Sequence, residues 1–486
     1  MYQEDIPFQV RQKRHARRRE GYTRTVKRVA SRLLQWLGVD RAVIMVASVR
    51  GWQLLAGPVT VFFIAHFLSS EQQGFYYTFG SILALQFVGE MGLSFVLGQF
   101  ASHEFVHLHW SPKGQVEGDP VSLGRFMDLL FKSSAWYGVG AMLLVVVLFP
   151  VGLLFFGQKD AARISVDWRL PWVLAVIAAS LNMLTLPLLA VIEGSGEVAK
   201  VNLVRLMQSV SSSLAVWVTL LFRGGLFAVP LSMFSMVAVG LGWILWEKPK
   251  LLKQLLLERL APSAKREQCG ALSWRHEVWP MQWRFAITVV SGYFTYQLLT
   301  PVLFYYHGPV VAGQIGMTMA VVNAIYFVAL AWVSARVPRF GGLIARRDWI
   351  GLDTLFSQVF KRSLGVVSAG ACGVLGLLWL LQQYFPIGQR FLPAPQIALL
   401  MGAAVADLVI NAIALYLRAH KKEPLMWLSV GTAILRGLSI WLLGKYLSSL
   451  GVAVAILAVN VFYGLPLNIG IWLKLRRKWH GEPATS

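Results

Sequence analysis

The sequence predicts an all-α polytopic membrane protein: about twelve transmembrane helices in two six-helix lobes, related by a pseudo-twofold axis along the membrane normal. Three observations predict it. Of 486 residues, 56% are hydrophobic and only 14% charged, whereas an ordinary soluble domain carries about 25% charged residues. The 45 Lys and Arg outnumber the 23 Asp and Glu by a net charge of +22. Those charges are clustered between long uncharged runs rather than spread over a surface, which argues against nucleic acid as a partner. High apolar content excludes disorder, and two cysteines, Cys269 and Cys372, exclude a disulfide scaffold.

A helix needs about 20 apolar residues to cross a bilayer. In the first half, runs of that kind lie near 43–68, 74–100, 131–156, 170–192, 201–222 and 225–246. After a polar interval, they lie near 281–306, 312–334, 363–385, 396–417, 425–448 and 449–473. With the N-terminus placed in the cytoplasm, inside segments hold 34 Lys and Arg and outside loops hold 6. That bias is the positive-inside rule, and it supports twelve spans with both termini cytoplasmic.

The chain therefore divides as follows: residues 1–42 form a basic N-terminus, 43–246 an N-lobe, 247–280 a cytoplasmic linker, 281–473 a C-lobe and 474–486 a tail. In the N-terminus, Val26, Val29, Ala30, Leu33, Leu34 and Leu37 recur at helical spacing opposite Arg24, Lys27, Arg28 and Arg32. This pattern predicts a helix lying on anionic lipid. Leu251–Leu260 and Trp349–Phe360 predict similar helices along the cytoplasmic face. The halves echo one another in Gly51-Trp52-Gln53 against Gln282-Trp283-Arg284, in Gly74 against Gly313, and in the paired prolines Pro58/Pro301 and Pro230/Pro466. Interrupted helices at matching places point to a binding site between repeats.

Charges in hydrocarbon are costly and face a cavity or one another. Arg50 in span one and Glu90 in span two either pair or line a cavity, and the same alternatives hold for Asp407 and Arg436 in spans ten and eleven. Arg205 and Arg284 are shallow enough to snorkel to the surface. On the functional reading, Arg50, Arg205, Arg284 and Arg436 receive an anionic substrate, because guanidinium donors suit phosphate. Glu90 or Asp407 would then carry a coupling ion.

Residues 103–107, His-Glu-Phe-Val-His, place His103 and His107 one turn apart with Glu104 as a base, as a zinc protease requires. The extended motif fails at Trp110 and Lys113, and His109 would leave the shared helix face. No metal site is therefore assigned, with His103 and His107 as weak candidates. No P-loop, nucleophile elbow or cofactor motif occurs, so no cofactor is expected.

Leu68-Ser69-Ser70-Glu71-Gln72-Gln73-Gly74-Phe75-Tyr76 resembles the first outer loop of bacterial polysaccharide-biosynthesis membrane proteins. Glu90-Met91-Gly92-Leu93 and Ser102-His103-Glu104 continue the resemblance. It places the chain with the multidrug/oligosaccharidyl-lipid/polysaccharide flippase superfamily. It implies two lobes around a central cavity in the bacterial inner membrane, and export of a lipid-linked anionic glycan by alternating access. Cytoplasmic or membrane polysaccharide-synthesis proteins are the implied partners. The alternatives are an ion-coupled drug exporter of the same superfamily, a scaffold in envelope polysaccharide synthesis, and the zinc protease.

Overall fold

The computed structural model describes residues 41–112, 114–157, 166–260, 272–420 and 424–481. The amphipathic helix expected within residues 1–42, and Cys269, lie outside them. Ten continuous helical runs among the described residues are long and apolar enough to cross a bilayer. Two of these, 274–345 and 426–480, extend for 72 and 55 residues, far beyond the about 20 that one crossing needs. Within them the backbone turns to positive φ at Gly308 (φ 84°) and at Ser448 (φ 54°). At Ser448 the chain folds back, bringing a Gly444 Cβ position within 3.1 Å of Val452, whereas eight residues of unbroken helix span about 12 Å. Each of the two long runs thus holds two of the twelve expected spans.

The first half comprises α1 (Arg41–Phe67), α2 (Ser70–Leu83), α3 (Leu85–Glu90), α4 (Leu93–Glu104), α5 (Pro120–Phe156), α6 (Arg169–Gly194), α7 (Val198–Leu221) and α8 (Ala228–Glu247). A short hairpin, β1 (Leu108–Trp110) with β2 (Val116–Gly118), joins α4 to α5, and α9 (Pro249–Leu260) follows. The second half comprises α10 (Trp279–Tyr296), α11 (Leu299–Ser334), α12 (Val337–Ala345), α13 (Trp349–Tyr384), α14 (Ala394–Arg418), α15 (Met426–Val459) and α16 (Leu465–Gly481).

Local sequence accounts for several boundaries. Ser69 caps α2 and shares a reciprocal capping box with Gln72. Asp119 caps α5 ahead of Pro120, and these bonds to the Ser122 amide hold its carboxyl below the ordinary range. One expectation is corrected. Trp349–Phe360 is not a separate surface helix but the first turns of α13, a 36-residue helix of about 54 Å that projects beyond an about 30 Å core. The surface helix in that loop is α12, whose Phe340 is fully buried while Arg336, Arg339, Arg346 and Arg347 around it are exposed.

Packing differs at the two ends of the bundle. At the end predicted to face outward, one apolar core takes in Phe75, Phe79, Phe156 and Trp172 from the first half and Leu303, Phe304, Ile315 and Ile456 from the second. At the other end the cores are separate. One gathers Leu97, Phe126, Leu189 and Val201 with the start of α10; the other gathers Phe340, Phe356, Tyr416 and Trp479.

The second of these cores fixes the C-terminal helix α16. Asp353 accepts from Arg476 at 2.5 Å and from Tyr416 at 3.1 Å, and His480 stacks on Trp349 at 4.7 Å. Burial lowers the His480 pKa below its ordinary value, an effect that Asp353 opposes and Arg476 reinforces. The folded state thus favours the neutral ring. Its stabilisation is complete above about pH 6.5 and is lost as pH falls below the folded value. Hydrogen exchange across 465–481, corrected for intrinsic rates, should therefore accelerate on acidification, and His480→Gln should abolish that step.

Candidate functional site

The site is built along the seam between the halves, which runs from α2, α3 and α4 on one side to α10 and α11 on the other. At the end predicted to face outward, the seam is sealed by backbone approach. A Cβ on Gly74 would collide with the Pro309 carbonyl, one on Gly313 would sit 2.8 Å from the Gly74 nitrogen, and one on Gly316 would strike the Tyr77 ring. Glycine is required at these three crossings because no side chain fits. Buried Gln73 donates across the seam to the carbonyls of Gly313 (2.8 Å) and Arg390 (3.1 Å). Ser81 extends the seal, its hydroxyl accepting from Thr300 at 2.6 Å and its carbonyl from Tyr293 at 3.3 Å.

Further along, span two breaks. Met91 (φ 52°) and Gly92 (φ 67°) are both left-handed, a conformation that costs a non-glycine residue such as Met91 about 1–2 kcal/mol. Gly92 lies against Phe285 of α10, and Phe95 packs on the same ring at 4.7 Å. Glu90 sits at the break. Its carboxylate accepts from the Ser94 amide at 3.3 Å, satisfying an otherwise orphan donor at the start of α4. The Ser94 hydroxyl is 2.9 Å from that of buried Tyr137.

The structure separates the four arginines into two pairs with different fates. Arg436 is 1% exposed. It donates to both Asp407 oxygens at 3.1 and 3.2 Å and to Asn460 at 2.7 Å, while Asn460 is itself held by the Ala403 carbonyl. A void of about 30 Å³ beside them is lined by Thr295, Tyr296, Asn323 and Tyr326, enough for a water molecule or two. Arg205 is bound by Glu193 through two hydrogen bonds, at 2.9 and 2.6 Å. These two arginines are committed to ion pairs. Arg50 and Arg284 are not. Both are exposed, Arg50 bonded only to Gln53 at 3.3 Å and Arg284 near the Trp283 ring at 5.7 Å. Neither has an acidic partner within ion-pair distance among the described residues. Glu90 likewise has no cationic partner among them, so the Arg50–Glu90 pair that adjacency allowed does not form.

The zinc-type arrangement does not form either. Helix α4 ends at Glu104, so His107 falls in a 3₁₀ turn instead of one helical turn above His103. Glu104 is occupied by Arg125 at 2.8 Å, and Arg125 also reaches Glu277 at 2.6 Å. Both carboxylates raise the Arg125 pKa. No group of three or more His, Cys, Asp or Glu is placed to hold a metal among the described residues.

Several of these partners went unread in the sequence. Glu193 closes α6 twelve residues before Arg205, beyond any helical spacing rule, and Glu277 meets Arg125 across 152 residues. The break at Met91-Gly92 carried one signal, a glycine two residues after the span's acid.

The Arg436–Asp407 pair yields a stability test. Arg436→Leu or Asp407→Asn alone strands its partner and should cost about 3–5 kcal/mol, whereas the double variant should recover most of it. Thermal unfolding of the four proteins in detergent measures the cycle.

No protein-family model matches the chain, and no curated protein matches it. Solved structures do. An inward-facing multidrug resistance MATE family transporter of the MOP superfamily superposes with a TM-score of 0.55 at 13% identity, over 88% of this chain and 99% of that one. A MOP superfamily transporter from Pyrococcus furiosus gives 0.52 at 12% identity, over 91% and 96%. The lipid II flippase MurJ, in an inward closed conformation, gives 0.58 at 12% identity, over 90% of each chain. Nearly the whole chain thus has the polytopic helical fold of MOP-superfamily transporters.

Proposed function

We propose that this protein is a flippase or exporter that moves a lipid-linked, anionic polysaccharide precursor across the bacterial inner membrane by alternating access, with both termini cytoplasmic. The observation that carries this reading is the pair of exposed guanidiniums, Arg50 and Arg284, in membrane-spanning helices and without acidic partners among the described residues. A charged side chain within hydrocarbon is costly, so Arg50 inside its span, like Arg284 at headgroup level, faces water or an anion. A phosphate matches guanidinium geometry. A sugar-bearing phosphate cannot cross hydrocarbon unaided, and a hydrated cationic passage replaces its water while its lipid chain stays in the bilayer.

The packing supports alternation. One core joins the halves at the outward end and two separate cores lie at the other, as an inward-directed state requires. Glu90, unpaired at a helix break, is the group we assign to ion coupling. Asp407 is less suited to that role because Arg436 already neutralises it.

Two experiments test the reading. Deleting the gene should leave the glycan lipid on the cytoplasmic leaflet; unchanged surface polysaccharide would sink the proposal. Restoring it with Arg50→Ala or Arg284→Ala should recover export about ten- to a hundred-fold less well, since a hydrogen bond to a charged group contributes about 1.5–3 kcal/mol. For the seam, Thr78 is fully buried. A Thr78→Cys chain with Cys269 and Cys372 replaced by Ser should be labelled slowly by an impermeant thiol reagent. Adding Gln73→Ala should speed labelling about ten-fold by weakening the closed state.

A further inference from the structure

Helices α10 and α15 pack side by side yet leave an open apolar groove of about 670 Å³ between them. On the α10 side it is lined by Ile287, Ser291 and Phe294 and, just beyond the end of the helix, by Leu298; on α15 by Val430, Ile434, Gly437 and Trp441. Both sets follow alternating three- and four-residue spacing, so each forms one continuous stripe along its helix. From Ala286 to Leu298 the groove is about 18 Å long, more than half the about 30 Å hydrocarbon thickness. Gly437 deepens its floor, since a Cβ there would meet only Leu298, at 3.7 Å. Trp441 bonds the Tyr306 hydroxyl at 3.0 Å and marks the outward end.

The other end is polar. Extending the α10 stripe one turn back from Ile287 reaches Arg284, which has no acidic partner within ion-pair distance among the described residues. Extending the α15 stripe back from Val430 reaches Trp427, which is 68% exposed. An indole and a guanidinium at the mouth of an apolar slot are the residues that sit at headgroup level. The slot therefore has an amphiphile's polarity: hydrocarbon along its length, cation at its cytoplasmic end.

We propose that this groove holds the hydrocarbon chain of the transported lipid, with the lipid phosphate at Arg284. The inference rests on the export reading and adds to it where the chain runs while the headgroup is bound. A chain seated in a fixed slot is oriented before the headgroup moves, which lowers the entropic cost of binding.

The test uses the full-length protein in phosphatidylcholine nanodiscs with two photoreactive probes, a long-chain isoprenyl phosphate and a phosphatidylcholine, each with a diazirine in its chain. Crosslinked peptides are mapped by mass spectrometry. The phosphate probe is expected to label 287–298 and 430–441 about ten-fold more than the phosphatidylcholine does. Gly437→Phe, which fills the floor, should abolish that labelling, with the thermal unfolding of the variant showing that it folds. Arg284→Gln should lower labelling by the phosphate probe and leave that by a matching isoprenyl alcohol unchanged. Equal labelling by phosphatidylcholine would make the groove an ordinary lipid contact and overturn the proposal. So would full labelling in Gly437→Phe. Either result leaves the export reading standing, because that reading falls only on the gene-deletion test.

Discussion

An ion in hydrocarbon must be neutralised, hydrated or absent, and that constraint organises this molecule. Arg436 and Arg205 are neutralised by Asp407 and Glu193, and Lys132 by Asp128 at 2.7 Å together with the Leu272 carbonyl. Of these cations only Arg436 is buried. A buried pair adds little net stability against a hydrophobic replacement, but it is costly to break, so it fixes α14 beside α15. What is left over, Arg50, Arg284 and Glu90, lies on helices that either face the seam or pack against it.

The seam is constructed from small residues, not from charge. Gly74, Gly313 and Gly316 let α2 and α11 approach until backbone touches backbone, a contact that depends on dispersion and a few hydrogen bonds. Such an interface separates more readily than an ion-pair lattice, because its groups are left in lipid or water without an orphaned charge. The charged clamp is elsewhere, at the end predicted to face the cytoplasm, where Arg125 lies between Glu104 and Glu277. Burial raises the Glu277 carboxyl, yet the Ser273 amide and Arg125 outweigh it and hold the group below the ordinary range. That clamp binds the start of the second half to α5 and leaves the rest of the cytoplasmic cores apart.

The sequence made the spans legible because hydropathy is a one-dimensional signal. Even the fold-back between spans eleven and twelve was anticipated, at the residue where Ser448 turns positive in φ. Pairing was legible only where adjacency constrained it. Asp407 and Arg436 lie in consecutive spans at similar depth, and they pair. Arg50 and Glu90 also lie in consecutive spans, but the Met91-Gly92 break turns the Glu90 carboxylate toward the Ser94 amide. Hydropathy does not register a two-residue break. The zinc-like motif misled for a related reason: its spacing is diagnostic only on a continuous helix, and α4 stops at Glu104.

Arg50 and Arg284, neither with an acidic partner among the described residues, come from different halves. Arg50 is on α1, which packs on α7; Arg284 is on α10, which packs on α15. An anion held by both would therefore have an affinity that depends on the gap between the halves, since a second charge-assisted hydrogen bond contributes only when geometry permits it. A ligand shifts a two-state equilibrium by no more than its differential affinity for the two states. Four free arginines would bind a phosphate in every arrangement of the halves and would not release it. Neutralising Arg205 and Arg436 within their own halves removes that trap. On the proposed export reading, it leaves binding to a pair whose separation would change as the two halves move.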